Sequence, residues 1–202
     1  MLFSNAIASF AAFAACLTPV FSAPVADASS VIVRRDGMAD VAQSCYNEVE
    51  TKCNEISAKI DAAVDIDVDL AADIVVDLQV IVNLIVQLGV DLTAKVTAGG
   101  LVALDVKACI EVVIAIVNLC AAILIKIAAH IAVGVSVDVF VSVVVALLAC
   151  IRVVVDLLIS VCLGNAGGLS VIDLEVLVGL AAQLTACLTA FVNACIGLGV
   201  SV

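Results

Sequence analysis

The run from Asp61 to Leu92, DAAVDIDVDLAADIVVDLQVIVNLIVQLGVDL, carries two periodicities at once. Between Val64 and Leu70 apolar and acidic residues alternate, the pattern of a strand with one wet face. Over a longer range Asp61, Asp65, Asp69, Asp73 and Asp77 recur every fourth residue. At ~100° per residue these five acids occupy an arc of about 160°, and Gln79, Asn83, Gln87, Asp91 and Lys95 return to it. A polar set confined to one arc over that length fits a helix, because a strand swaps faces at every residue. Only Asp67 leaves the arc. The pattern predicts one long helix with an acidic stripe, with Ser57 and Gly89 as its candidate break points.

The same reading orders the rest of the chain. No Gly or Pro falls between Ala39 and Leu88, and the polar stretch MADVAQSCYNEVETKCNEISAKI predicts a first helix of roughly five turns starting near Asp36 or Ala39. Gly99-Gly100 closes the acidic-striped helix. Leu101 to Ile131 is expected to be helical, with Cys109 and Cys120 on one face, away from most of its polar residues. Val133 to Val143, VGVSVDVFVSV, alternates strictly and has the strongest strand signature in the chain. Because Gly134 sits inside it, the preferred reading is a turn followed by a helix to Val161, with Asp138, Ser142, Arg152, Asp156 and Ser160 on one stripe. Gly164 to Gly168 reads as a loop, and a last helix runs from about Ser170 to Ile196. The expected fold class is all-α, a bundle of about four to five long aliphatic helices.

Composition adds a compartment to this picture. Hydrophobic residues make up 65% of the 202 positions and charged ones 13%, where about 45–50% apolar is ordinary. Residues 1–22 read as a secretory signal, with an apolar centre from Ala6 to Leu17 and small residues up to a cut after Ser22. Residues 23–35 read as a pro-segment ending at the dibasic processing site Arg34-Arg35, which leaves 36–202 as a single helical domain. Without residues 1–35 the chain loses Asp27, Arg34 and Arg35, so 6 basic residues face 18 acidic ones and the net charge is −12. That balance argues against nucleic acid as a partner, since phosphate recognition needs clustered Lys and Arg. It keeps an aliphatic protein soluble.

Cys16 leaves with the signal, and eight cysteines remain. An even number in an exported chain, with no C-x-x-C pair and one histidine, points to disulfides and not to zinc. They fall into four pairs spaced by 8, 11, 12 and 8 residues, each near a whole number of helical turns. In antiparallel helices, partners share an index sum. Cys109 with Cys162 and Cys120 with Cys150 sum to 271 and 270, while Cys45 with Cys195 and Cys53 with Cys187 both sum to 240. The expected architecture is therefore a disulfide-stapled bundle with those four bridges.

Chemical motifs are sparse. His130 is the only histidine and is expected at a helix end; no G-x-S-x-G, H-E-x-x-H or P-loop pattern occurs. Asp65, Asp67 and Asp69 imitate the start of a calcium loop, but Leu70 stands where Gly is needed and Val76 where a bidentate Glu is needed. No catalytic residue, cofactor or metal is expected, nor N-glycosylation, because no sequon is present. Val176 to Val202 is uncharged and long enough to span a bilayer. The charges placed mid-segment in the other helices disfavour integral insertion.

The signal, the pro-segment ending in Arg34-Arg35, the polar first helix, the aliphatic remainder and the eight cysteines together resemble small secreted basidiomycete cell-wall and aerial-hypha proteins that act alongside hydrophobins. Hydrophobins themselves do not fit, because their adjacent cysteine pairs are missing. The resemblance implies an extracellular structural role at the hyphal wall or at an air interface. The residues agree with a secreted, surface-active protein whose partners are hydrophobic interfaces, wall components or further copies of itself. The other readings are an extracellular lipid- or sterol-binding helical protein and a membrane-inserting effector; an enzyme comes last.

Overall fold

In the computed structural model the described residues are 37–63, 65–99, 102–132, 135–164 and 171–197. They form five α-helices: α1 (Met38–Ala62), α2 (Val68–Ala98), α3 (Ala103–His130), α4 (Asp138–Gly164) and α5 (Val171–Gly197). No strand occurs among them, so the all-α class stands. The signal, the pro-segment and Arg34-Arg35 lie outside the described residues.

The four later helices are rich in Val and Ile, residues with weak intrinsic helix preference. What holds them helical is burial at helical spacing. In α1 the buried set is Met38, Ala42, Cys45, Val49, Cys53, Ile56 and Ile60, a single column. In α3 the stripe widens to Val106, Cys109-Ile110, Val113, Ile116-Val117, Cys120, Ile123-Leu124 and Ile127. The wider stripe follows from position, since α3 lies between α1 and α5. Going round the bundle the contacts run α1, α2, α4, α5, α3 and back to α1, and α3 meets α4 only sparsely.

The directions follow from named contacts. Lys59 of α1 pairs with Asp77 of α2, and Cys45 reaches Leu84, so residue numbers fall along α2 as they rise along α1: the two are antiparallel. Against α3 the relation is a constant difference. Met38 and Ala39 meet Asp105 at separations of 67 and 66 residues, and Ser57 and Asp61 meet Lys126 at 69 and 65. Helices α1 and α3 therefore run parallel. The register continues past their ends, where Ile66 and Ile131 form a parallel bridge through Ile66 N to His130 O at 2.7 Å and Ala132 N to Ile66 O at 3.2 Å.

Two expectations about boundaries need correction. The break in the acidic segment falls at residues 63–67, and not at Ser57, inside α1, or Gly89, buried inside α2. Asp67 is the N-cap of α2, its carboxylate accepting from Leu70 N at 2.9 Å. An N-cap side chain must turn back on the first free N–H groups and cannot follow the helical stripe. The alternation seen in the sequence straddles this connector and the first turn of α2, and Ile66 of the connector is fully buried. Within the second alternating stretch the helix begins at Asp138, with Ser136 Oγ accepting from Asp138 N at 3.2 Å. The stripe expected on α4 is present, with Asp138, Ser142, Arg152 and Asp156 exposed and Ser160 half-buried.

Candidate functional site

The acids of the opening stretch divide between two helices and their connector. Asp61 is in α1, Asp65 in the connector, and Asp69, Asp73 and Asp77 in α2. The first four are exposed, as a solvated stripe requires, whereas Asp77 is only 9% exposed. Asp77 lies against α1 and accepts from Lys59 Nζ at 2.6 Å. The carboxylate, with its hydrogen bond first and its charge next, holds the Lys59 ammonium above its ordinary pKa. Lys126 of α3 donates to Asp61 at 2.7 Å and to the Ser57 hydroxyl, so a basic residue of α3 holds the last turn of α1. At the other end of α1 the Asp105 carboxylate accepts from Met38 N at 2.8 Å and Ala39 N at 3.0 Å. His130 is the last residue of α3, its Nδ1 2.9 Å from Lys126 O, as a helix-end residue.

Between α1 and α2 a cleft of about 280 Å³ is lined by Asp40, Ser44, Cys45 and Glu48 on one side and Leu84, Gln87 and Asp91 on the other. Three carboxylates face it. The Cys45 thiol donates to Leu84 O at 3.7 Å, and its pKa is pushed up to about 12 by burial, with Glu48 and Asp91 adding repulsion. A thiol so raised stays protonated near neutrality and is a poor nucleophile.

The eight cysteines among the described residues are free thiols in this structure, and all but the half-buried Cys187 are buried. Burial pushes Cys109 and Cys150 up to about 12 and Cys195 to about 11. Of the pairs expected from index sums, Cys109 and Cys162 come close enough for Cys162 to raise Cys109 by its charge. The sum of 240 requires α1 against α5, but α3 stands between those two helices among the described residues. The cysteine beside Cys53 is Cys120, and the two neighbouring thiols raise the pKa of Cys120 and lower that of Cys53. Sequence reading by sums missed this contact; a constant difference of about 67, visible in Met38–Asp105, is the signal that finds it.

The outer surface is divided. Helix α1 carries seven charged residues among its 25, and none of the exposed large aliphatic residues is on it. Those lie on or beside the other helices: Val68, Val76 and Val90, then Val102, Leu104 and Ile125, then Val139 and Val145, then Val176, Val178 and Ile196. Leu104 is 73% exposed and Val68 66%. Helix α5, which does not touch α1, has no charge from Val176 to Gly197. Four helical stretches, Val68–Ala98, Leu104–His130, Asp138–Cys162 and Val178–Gly197, are long and apolar enough to cross a membrane.

No protein-family model, curated protein or solved structure matches this chain.

Proposed function

We propose that this is a secreted structural protein of the fungal cell wall or aerial hyphae that adsorbs at hydrophobic interfaces. The observation that carries the reading is the uneven surface. Charge is densest on α1, with seven of its 25 residues, while among the described residues every large exposed aliphatic one lies on or beside the other four helices and α5 is uncharged from Val176 onward. A molecule with this much exposed aliphatic surface lowers its free energy at a boundary between water and an apolar phase, because each exposed aliphatic side chain removed from water contributes on the order of 1 kcal/mol. The acidic balance keeps it soluble until then. The signal and pro-segment in the sequence support export, and an exported chain with eight cysteines supports a disulfide-stapled bundle in place of eight thiols.

Drop tensiometry and contact-angle measurement on the purified protein test this reading. A fall in surface tension at micromolar protein is the expected result; a surface tension indistinguishable from buffer would sink the idea. A second reading, membrane insertion, is favoured by the four helices of spanning length. Against it, α2, α3 and α4 carry charges in mid-helix, at a cost of about 2.5–3.5 kcal/mol each at the bilayer centre. Fractionating a culture into medium, wall and membrane separates the two: recovery only with membranes favours the second.

A further inference from the structure

We propose that Cys53 and Cys120 form an intramolecular disulfide that fastens α1 to α3 at the middle of their shared interface. The geometry comes first. Two helices in parallel register meet wherever their numbers differ by the register constant, and that constant is fixed at both ends of this pair. Asp105 holds Met38 and Ala39 at separations of 67 and 66, and Lys126 holds Ser57 and Asp61 at 69 and 65. Cys53 and Cys120 are 67 apart, lie between those clamps, and are 3% and 1% exposed. The two thiols are close enough for each to shift the other's pKa. With its ends fixed, the interface cannot slide by a turn to offer either sulfur a different partner without breaking the Asp105 and Lys126 contacts.

The bond forms by thiol–disulfide exchange, by the same steps whichever sulfur reacts first; take Cys53. Its thiolate attacks a disulfide of the oxidising compartment, either a small-molecule disulfide or an oxidised thiol oxidoreductase, forming a mixed disulfide and releasing one thiolate. Cys120, deprotonated, then attacks the Cys53 sulfur of that mixed disulfide and expels the second thiolate. The two protons lost by the cysteines end on the two released thiols, and the oxidant is reduced by two electrons. Because both sulfurs are inside the bundle, the exchange takes place before α1 docks or during its local opening. The bridge uses one cysteine from each of two bridges expected from index sums, Cys53 with Cys187 and Cys120 with Cys150.

The inference rests on export through an oxidising compartment and not on surface activity. The test takes the full chain, folded in the reduced state, through a series of glutathione redox buffers. Free thiols are alkylated at acidic pH, the protein is digested without reduction, and linked peptides are identified by mass. The expected result is a Cys53-peptide joined to a Cys120-peptide, lighter by two hydrogens than the separate pair. In Cys53→Ser that product disappears and Cys120 is recovered alkylated. Recovery of Cys53 alkylated in buffers that oxidise the other cysteines, or joined to Cys187, overturns the proposal. A cross-linked protein without surface activity counts against the interfacial function alone; a surface-active protein with Cys53 unpaired counts against the cross-link alone.

Discussion

The carboxylate of Asp105, in the first turn of α3, accepts hydrogen bonds from Met38 N at 2.8 Å and Ala39 N at 3.0 Å, and so caps a helix other than its own. The first N–H groups of α1 have no partner within the helix, and a negative charge there also meets the positive end of its dipole. Asp105→Ala is expected to cost about 1–3 kcal/mol. Thermal unfolding should fall by roughly 2–4 °C for each kcal/mol lost. Gly37→Ala should destabilise by the same route, because a Cβ there would sit 2.4 Å from Asp105 Oδ1 and displace the cap. Unchanged melting temperatures in both variants would refute the cap.

Alkaline stability reports the state of the buried thiols. Burial pushes Cys45, Cys109 and Cys150 up from 9.0 to about 12. Below pH 9 these thiols are protonated in both folded and unfolded chains, and their contribution to stability is fully present. From pH 9 to about 12 the unfolded chain releases protons that the folded one retains, so stability is lost by about 1.4 kcal/mol per pH unit for each thiol. Reduced protein in urea titrations should therefore weaken steeply over this window. Each of these sulfurs that is oxidised has no thiol proton to lose, so oxidised protein should weaken less by the number of them that are bridged.

Part of this architecture was legible in the sequence, and the reasons differ by residue. The helices followed from the columns of aliphatic residues, because burial acts at helical spacing whatever the local preference of valine, whereas the four-residue recurrence of Asp61 to Asp77 runs across the break between α1 and α2. Helix boundaries were misread where one residue served two patterns. Asp67 left the acidic arc because it caps α2, and the alternation around it straddled a connector with Ile66 bridged to Ile131. The neighbours of each helix were not legible. Index sums presuppose antiparallel partners, and the pairing of α1 with α3 is parallel, so Cys53 was set against Cys187 and not Cys120. Asp77 looked like the fifth member of a solvated stripe; its burial depends on where Lys59 of the preceding helix lands.

That buried pair gives a sharper expectation. Lys59 is partly exposed and can turn to water, whereas Asp77 cannot, so removing the cation should hurt more than neutralising the acid. Lys59→Met is expected to cost about 1–3 kcal/mol, and Asp77→Asn less, because the amide can still accept a hydrogen bond. Since the carboxylate raises the Lys59 pKa, the pair's contribution is full below the ordinary lysine value of 10.5 and is lost as pH rises through the folded value. Denaturant midpoints above pH 10 should thus fall more in the parent than in Asp77→Asn, compared at equal thiol oxidation.

Helix α5 should open independently of the other four. Among its described side chains the buried ones are Leu180, Leu184, Phe191, Ala194 and Cys195, a narrow stripe, with Phe191 fully buried. Phe191→Ala removes the largest anchor and should cost about 3–5 kcal/mol. Hydrogen exchange over 171–197 should accelerate far more than over α1, which does not touch α5. Uniform acceleration across all five helices would show instead that the bundle unfolds as one unit.

The interfacial reading can be separated from fold stability on the same helix. Val178 and Ile196 are 52% and 55% exposed. They stand 18 residues apart, about five helical turns, and so share one outer face of α5. Val178→Glu with Ile196→Glu removes aliphatic surface without touching the buried stripe, and exposed substitutions of this kind usually change stability within about 0.5 kcal/mol. Each glutamate must also lose its hydration if that face enters an apolar phase, a cost of a few kcal/mol where no partner is present. The double variant should therefore keep its melting temperature and its helical circular dichroism while lowering surface tension less at equal concentration. Placing the same charges on α1, with Thr51→Glu and Asn54→Glu, should leave adsorption largely intact, because that edge already faces water. Equal loss of adsorption in both variants would mean that net charge governs it and that the aliphatic edge does not.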